Sequence, residues 1–106
     1  MAISLVFSCE LYTGKDHRKF TVTDFSKKRV DTLIPCDDKS YYAYYIKVKG
    51  QINDSIKIQR EGYFDVILSG KVDTLINGDY YGKDTVIWTF DPYRAKKGKL
   101  EIEYAL

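Results

Sequence analysis

The residues able to do covalent chemistry are few. His17 is the one histidine among 106 residues, in the charged run Lys15-Asp16-His17-Arg18-Lys19. A Ser-His or Cys-His pair needs an imidazole within hydrogen-bonding reach of its nucleophile. As the only imidazole, set in a charged turn, His17 reads as a solvated surface histidine, and the sequence predicts a protein that is not an enzyme. The two cysteines, Cys9 and Cys36, fit no zinc or redox spacing, and one histidine cannot complete a four-ligand set with them. They read as free thiols buried like small apolar side chains, or as a pair in an oxidising compartment. Asp37-Asp38 and the pair Asp79 and Asp84 carry oxygen ligands, but not at the alternating spacing of a calcium loop, and they read as solvated turn residues. No glycine-rich phosphate loop follows a strand pattern. The expectation is no catalytic residue, no metal and no cofactor.

Binding chemistry is better represented, because ten of the residues are tyrosines. Tyr42, Tyr44 and Tyr104 fall in phase with aliphatic neighbours and read as core. Tyr41, Tyr45, Tyr80, Tyr81 and Tyr93 read as surface residues, and tyrosine gives a recognition surface large rigid contact area at low entropic cost. They predict a protein or glycan partner. Basic residues at Lys27-Lys28-Arg29 and at Arg94, Lys96, Lys97 and Lys99 suggest the alternative, a cytosolic small β-barrel whose tyrosines stack the bases of single-stranded nucleic acid. Against it, 17 Lys and Arg face 15 Asp and Glu, a net charge of only +2, and a nucleic-acid partner is the less favoured one.

The elements that must position these side chains are strands. Aromatic residues make up 15% of the chain, β-branched residues are frequent, and alanine and leucine are too scattered for several long helices. Ile3, Leu5, Phe7, Cys9 and Leu11 alternate as a first strand. Phe20 to Phe25 reads as a second, and Val30 to Ile34 as an edge piece ended by Pro35. Tyr41 to Gln59 reads as a hairpin turning at Asn53-Asp54, with Tyr42, Tyr44, Ile46, Val48, Ile56 and Ile58 inward. Arg60-Glu61-Gly62 turns the chain into Tyr63 to Ser69. Gly70 marks a bend before Val72 to Ile76, and residues 77–84 form a loop. Val86, Trp88 and Phe90 make an inward stripe closed by Asp91-Pro92. Residues 93–99 read as a crossover loop or one helical turn, and Leu100, Ile102, Tyr104 and Leu106 as the last strand. Val-Asp-Thr-Leu-Ile occurs at residues 30–34 and again at 72–76, as coincidence or as two similar edge strands rather than a stacking repeat.

Together these predict one all-β domain over residues 1–106, an antiparallel β-sandwich of about seven to nine strands, immunoglobulin-like or jelly-roll-like, with a small barrel as the alternative. No segment approaches the ~18 apolar residues of a transmembrane helix.

GKVDTLINGDYYG from Gly70 and DPYRAKKGKLEIEYAL from Asp91 carry a resemblance. Through Asp79-Tyr80-Tyr81-Gly82, Asp91-Pro92-Tyr93 and Gly98-Lys99-Leu100 this third of the chain resembles the C-terminal half of small uncharacterised β-sandwich proteins of Bacteroidetes, often predicted lipoproteins. The resemblance implies a cell-envelope β-sandwich without known activity, with Val6-Phe7-Ser8-Cys9 as the remnant of a lipidation signal. The alternative is a cytoplasmic protein whose N-terminal run is a strand.

Overall fold

A computed structural model describes residues 16–35, 41–80 and 84–106. The expected strand over residues 3–11, both cysteines, Asp37-Asp38 and Tyr81 lie outside those residues. The described chain forms eight strands and no helix: β1 (His17–Val22), β2 (Arg29–Leu33), β3 (Ala43–Ile52), β4 (Ile56–Arg60), β5 (Phe64–Leu68), β6 (Lys71–Asp79), β7 (Val86–Asp91) and β8 (Gly98–Ala105). They make two four-stranded antiparallel sheets, in the orders β1-β8-β3-β6 and β2-β7-β4-β5.

The pairings are nested. His17 faces Ala105, Arg29 faces Phe90, Ala43 faces Asp79 and Ile56 faces Leu68. The chain is thus one long hairpin, closed at the β4–β5 turn and rolled so that alternate pairs enter opposite sheets. That is the strand order of a jelly roll, one of the two sandwich forms expected. The barrel alternative is not met, because the sheets stay separate and leave β1 and β6, and β2 and β5, as edges.

The hairpin expected at residues 41–59 is corrected: β3 lies in one sheet and β4 in the other. Asn53-Asp54 is a corner. The Asn53 side-chain oxygen accepts the backbone N–H groups of Lys96 and Lys97 at 2.8 and 2.9 Å, and the Asn53 N–H donates to the Lys97 carbonyl at 3.0 Å. These bonds tie the bend to the segment after β7 rather than closing a two-residue turn. The hairpin between consecutive strands is β4–β5, where the Tyr63 N–H donates to the Arg60 carbonyl at 2.9 Å and Gly62 takes φ 85°, the positive φ a type II turn requires at its third residue.

The core between the sheets follows the period-2 stripes. Ile46, Val48, Leu100, Ile102 and Tyr104 from one sheet meet Leu33, Ile56, Ile58, Val86, Trp88 and Phe90 from the other, all essentially solvent-free. Burying each large apolar side chain stabilises by about 1.5–3 kcal/mol relative to exposure. Tyr42, expected in this stripe, precedes β3 and is 72% exposed. Beyond the last ladder position alternation no longer decides which way a side chain faces. Where β3 crosses β8, the backbones approach so closely that a Cβ at Gly98 would lie 2.2 Å from the Gln51 carbonyl oxygen. Among the described residues no helix is long and apolar enough to cross a membrane.

Candidate functional site: a tyrosine-framed end of the sandwich

The register defines two ends. At one, β3 begins at Ala43 opposite Asp79 of β6, and β4 ends at Arg60 opposite Trp88 and Phe64. At the other, Ile52 meets Gly98, and the Arg94 and Ala95 N–H groups donate to the Ser55 carbonyl at 3.0 Å. The tyrosines concentrate at the first end and the lysines at the second.

An aromatic line crosses the core. Phe20 lies 5.6 Å from Tyr104, Tyr104 stacks on Trp88 at 5.2 Å with 7° between the planes, and Trp88 reaches Tyr44 at 5.6 Å and Phe64 at 6.1 Å. A guanidinium covers each extremity: Arg29 lies 3.7 Å over Phe20, and Arg60 lies 4.8 Å over Tyr44 and 4.0 Å over Tyr63. Tyr44 is placed by Gly78 on the neighbouring strand, for a Cβ there would lie 2.5 Å from the Tyr44 hydroxyl. The ring fills the place of the missing side chain, as aromatic residues do across edge glycines.

The two arginines differ in their counterions. Arg29 Nε donates to Asp31 Oδ2 at 2.8 Å and Nη2 to Oδ1 at 3.2 Å, a two-point pair that satisfies the buried Asp31 carboxylate. Arg60 is 9% exposed, its Nε has no hydrogen-bond partner, and the ion pairs among the described residues do not include it. Guanidinium does not deprotonate in proteins, and desolvating a charge costs several kcal/mol unless it is paired. The two cation–π contacts offset part of that cost. Tyr80, also at this end, is buried, and its hydroxyl donates to the Asp84 carbonyl. Burial pushes the Tyr80 phenol above its ordinary pKa of 10, the Asp84 charge pushes the same way, and Arg60 opposes them.

Of the five tyrosines expected to form a binding surface, the four that are described do not come together. Tyr80 is 5% exposed and belongs to the core, a correction: its ring meets Tyr41 edge-on at 6.2 Å, and its hydroxyl finds a backbone acceptor instead of water. Tyr41 is partly buried against the same cluster and donates to Asp16 at 2.8 Å. Tyr45 lies on the outer face of the first sheet, partly buried, with its hydroxyl 3.3 Å from Glu103. Tyr93 is at the opposite end, with Lys57 and Arg94 over its ring at 4.7 and 5.2 Å. Among the described residues, the tyrosines that stand clear at the first end are Tyr42 and Tyr63, each 72% exposed. Alternation carried the signal for Arg60, which is two residues beyond Ile58 and four beyond Ile56 and so falls on the inward phase. Reading it as a turn residue hid that.

His17 is not simply solvated: its Nε2 meets the Glu103 carboxylate, both side chains being 25% and 20% exposed. At the second end Lys49, Lys71, Lys97 and Lys99 line a depression at Gly50 and Gly98. Asp73 and Glu101 line it too, against four lysines. Fold and site together define an eight-stranded jelly-roll sandwich with a tyrosine-framed arginine at one end. No protein-family model matches the chain, and no curated protein is similar to it.

Proposed function

We propose that this protein is a non-enzymatic binding module that takes a protein or glycan ligand on the end of the sandwich framed by Tyr42 and Tyr63. The observation that carries the reading is the exposure of these two rings, 72% each, beside a core that is otherwise closed. Large aromatic faces left in water cost free energy in the isolated protein and return it when a partner covers them. Tyr93, at the opposite end, offers less exposed ring, 41%.

The test is a binding screen on glycan and peptide arrays, repeated with Tyr42→Ala plus Tyr63→Ala. Both side chains are exposed, so the double variant still folds, losing about 1 kcal/mol with the Arg60–Tyr63 contact. The expected outcome is loss of the bound ligand with folding intact. Retention of full binding by the double variant would exclude this end of the molecule.

A further inference from the structure

Arg60 is a cation built into the core, and no carboxylate among the described residues pairs with it. It sits on the inward face of β4, in register with Trp88 and Phe64, with its guanidinium between the rings of Tyr44 and Tyr63. Its partnerless Nε is buried. A depression at the β4–β5 turn is lined by Gln59, Arg60, Glu61, Tyr63 and Asp65 among others. Arg29, the other arginine on the aromatic line, is matched by Asp31, so among the described residues one cation of the line is neutralised within the chain and the other is not.

We propose that Arg60 is the anion-recognition subsite of the tyrosine-framed end and takes the carboxylate of an acidic saccharide whose ring packs on Tyr63; the proposal rests on the binding-module reading above. A planar guanidinium matches a carboxylate in shape and charge. Glu61 and Asp65 line the same depression, and Asp65 is engaged by the Gln59 amide at 3.1 Å rather than by Arg60. Their charges oppose a phosphate or sulfate dianion and tolerate a single carboxylate beside uncharged hydroxyls, which they can accept as hydrogen-bond donors. A pyranose offers a flat C–H face to an exposed tyrosine ring. An acidic peptide would need an apolar slot for an anchoring side chain, and the walls of this depression are mainly polar.

The experiment is an NMR titration of the labelled protein, following the Arg60 Nε–H and the tyrosine ring signals, with three probes: tri-galacturonate, its methyl ester, and acetyl-Asp-Asp-Asp-amide. Tri-galacturonate is expected to shift the Arg60 and Tyr63 signals and to bind about ten-fold or more tightly than the ester, the usual worth of a hydrogen bond to a charged group. Arg60→Met brings the acid down to the affinity of the ester. Because it removes an unpaired buried charge, this variant keeps or raises the melting temperature, so lost binding cannot be blamed on unfolding. Equal binding of acid and ester, abolished by Tyr63→Ala, would overturn the Arg60 subsite and leave the tyrosine surface standing. Arg60-dependent binding of the peptide alone would overturn the saccharide class, and no response to any of the three probes would overturn the proposal.

Discussion

At the scale of single residues, an ionisable side chain acts through the neighbours that the register places beside it. Glu103 lies on the outer face of β8, opposite Lys19 of β1 and Lys47 of β3, with His17 Nε2 on its carboxylate and the Tyr45 hydroxyl 3.3 Å away. The His17 hydrogen bond is the largest influence, and it holds the Glu103 carboxyl below its ordinary pKa of 4.5 against the opposing effect of partial burial. A carboxyl depressed in the folded state contributes stability that is complete above pH 4.5 and is lost as pH falls through the folded value. Both partners keep contact with water, so the effect is at most about 1 kcal/mol. Urea midpoints measured from pH 7 to pH 3 should therefore fall more steeply below pH 4.5 for the natural protein than for Glu103→Gln. Parallel curves would remove His17 and Glu103 as a stabilising pair. The same local logic explains the tyrosines: Tyr80 and Tyr104 are buried by their neighbours, whereas Tyr42, whose carbonyl accepts the Tyr80 N–H just beyond the ladder, keeps its side chain in water.

At the scale of elements, alternation showed that strands exist and which face of most of them is buried. Val86, Trp88 and Phe90, and Leu100, Ile102 and Tyr104, are buried as their spacing requires. Alternation could not show which sheet a strand enters, because a strand that turns back and a strand that rounds a corner into the facing sheet present the same stripe to the same core. That is why residues 41–59 read as a hairpin. Nor does a short sequence fix its own phase. Val-Asp-Thr-Leu-Ile begins within β2 and again within β6, both of them edge strands, yet Asp31 and Leu33 are buried in the first while Asp73 and Leu75 are exposed in the second. A shift of one residue exchanges the two faces. In β2 the buried aspartate is made tolerable by Arg29, while in β6 Val72 takes the inward position. Identical substitutions in the two copies should thus differ sharply. Leu33→Ala, at a site with no exposure, should cost about 2–5 kcal/mol by chemical denaturation, and Leu75→Ala, at a site 62% exposed, less than about 0.5 kcal/mol. Comparable losses at both sites would contradict the opposite phases. Of the candidate site, exposure at Tyr42 and Tyr63 was not legible, since strand ends and turns escape periodicity, while the inward phase of Arg60 was.

At the scale of the whole molecule, nested pairing sets the order in which contacts can close. The β4–β5 turn joins Arg60 to Phe64 across a few residues, whereas β1 meets β8 by bringing His17 to Ala105. Loop closure costs more as the loop lengthens, and each inner pair that forms shortens the effective loop of the next. The expected order therefore starts at the turn and proceeds outward, with β8 entering the centre of its sheet last, between β1 and β3. Two glycines test the two ends of this sequence. Gly62, at φ 85°, has open space where a Cβ would sit, so Gly62→Ala adds conformational strain alone; Gly98, at φ 143°, faces the Gln51 carbonyl oxygen at 2.2 Å, so Gly98→Ala adds strain and a backbone clash. A left-handed alanine costs about 1–2 kcal/mol. If the turn is formed in the transition state, that cost falls on the folding rate, slowing it about five-fold or more with little change in unfolding. If β8 docks late, Gly98→Ala instead speeds unfolding and leaves the folding limb of the chevron nearly in place. Jelly-roll pairings are sequence-distant, so both proteins should refold on the millisecond to second scale, within reach of stopped-flow mixing. The reverse assignment, with Gly98→Ala slowing folding and Gly62→Ala speeding unfolding, would mean that the rolled hairpin closes from its open ends inward.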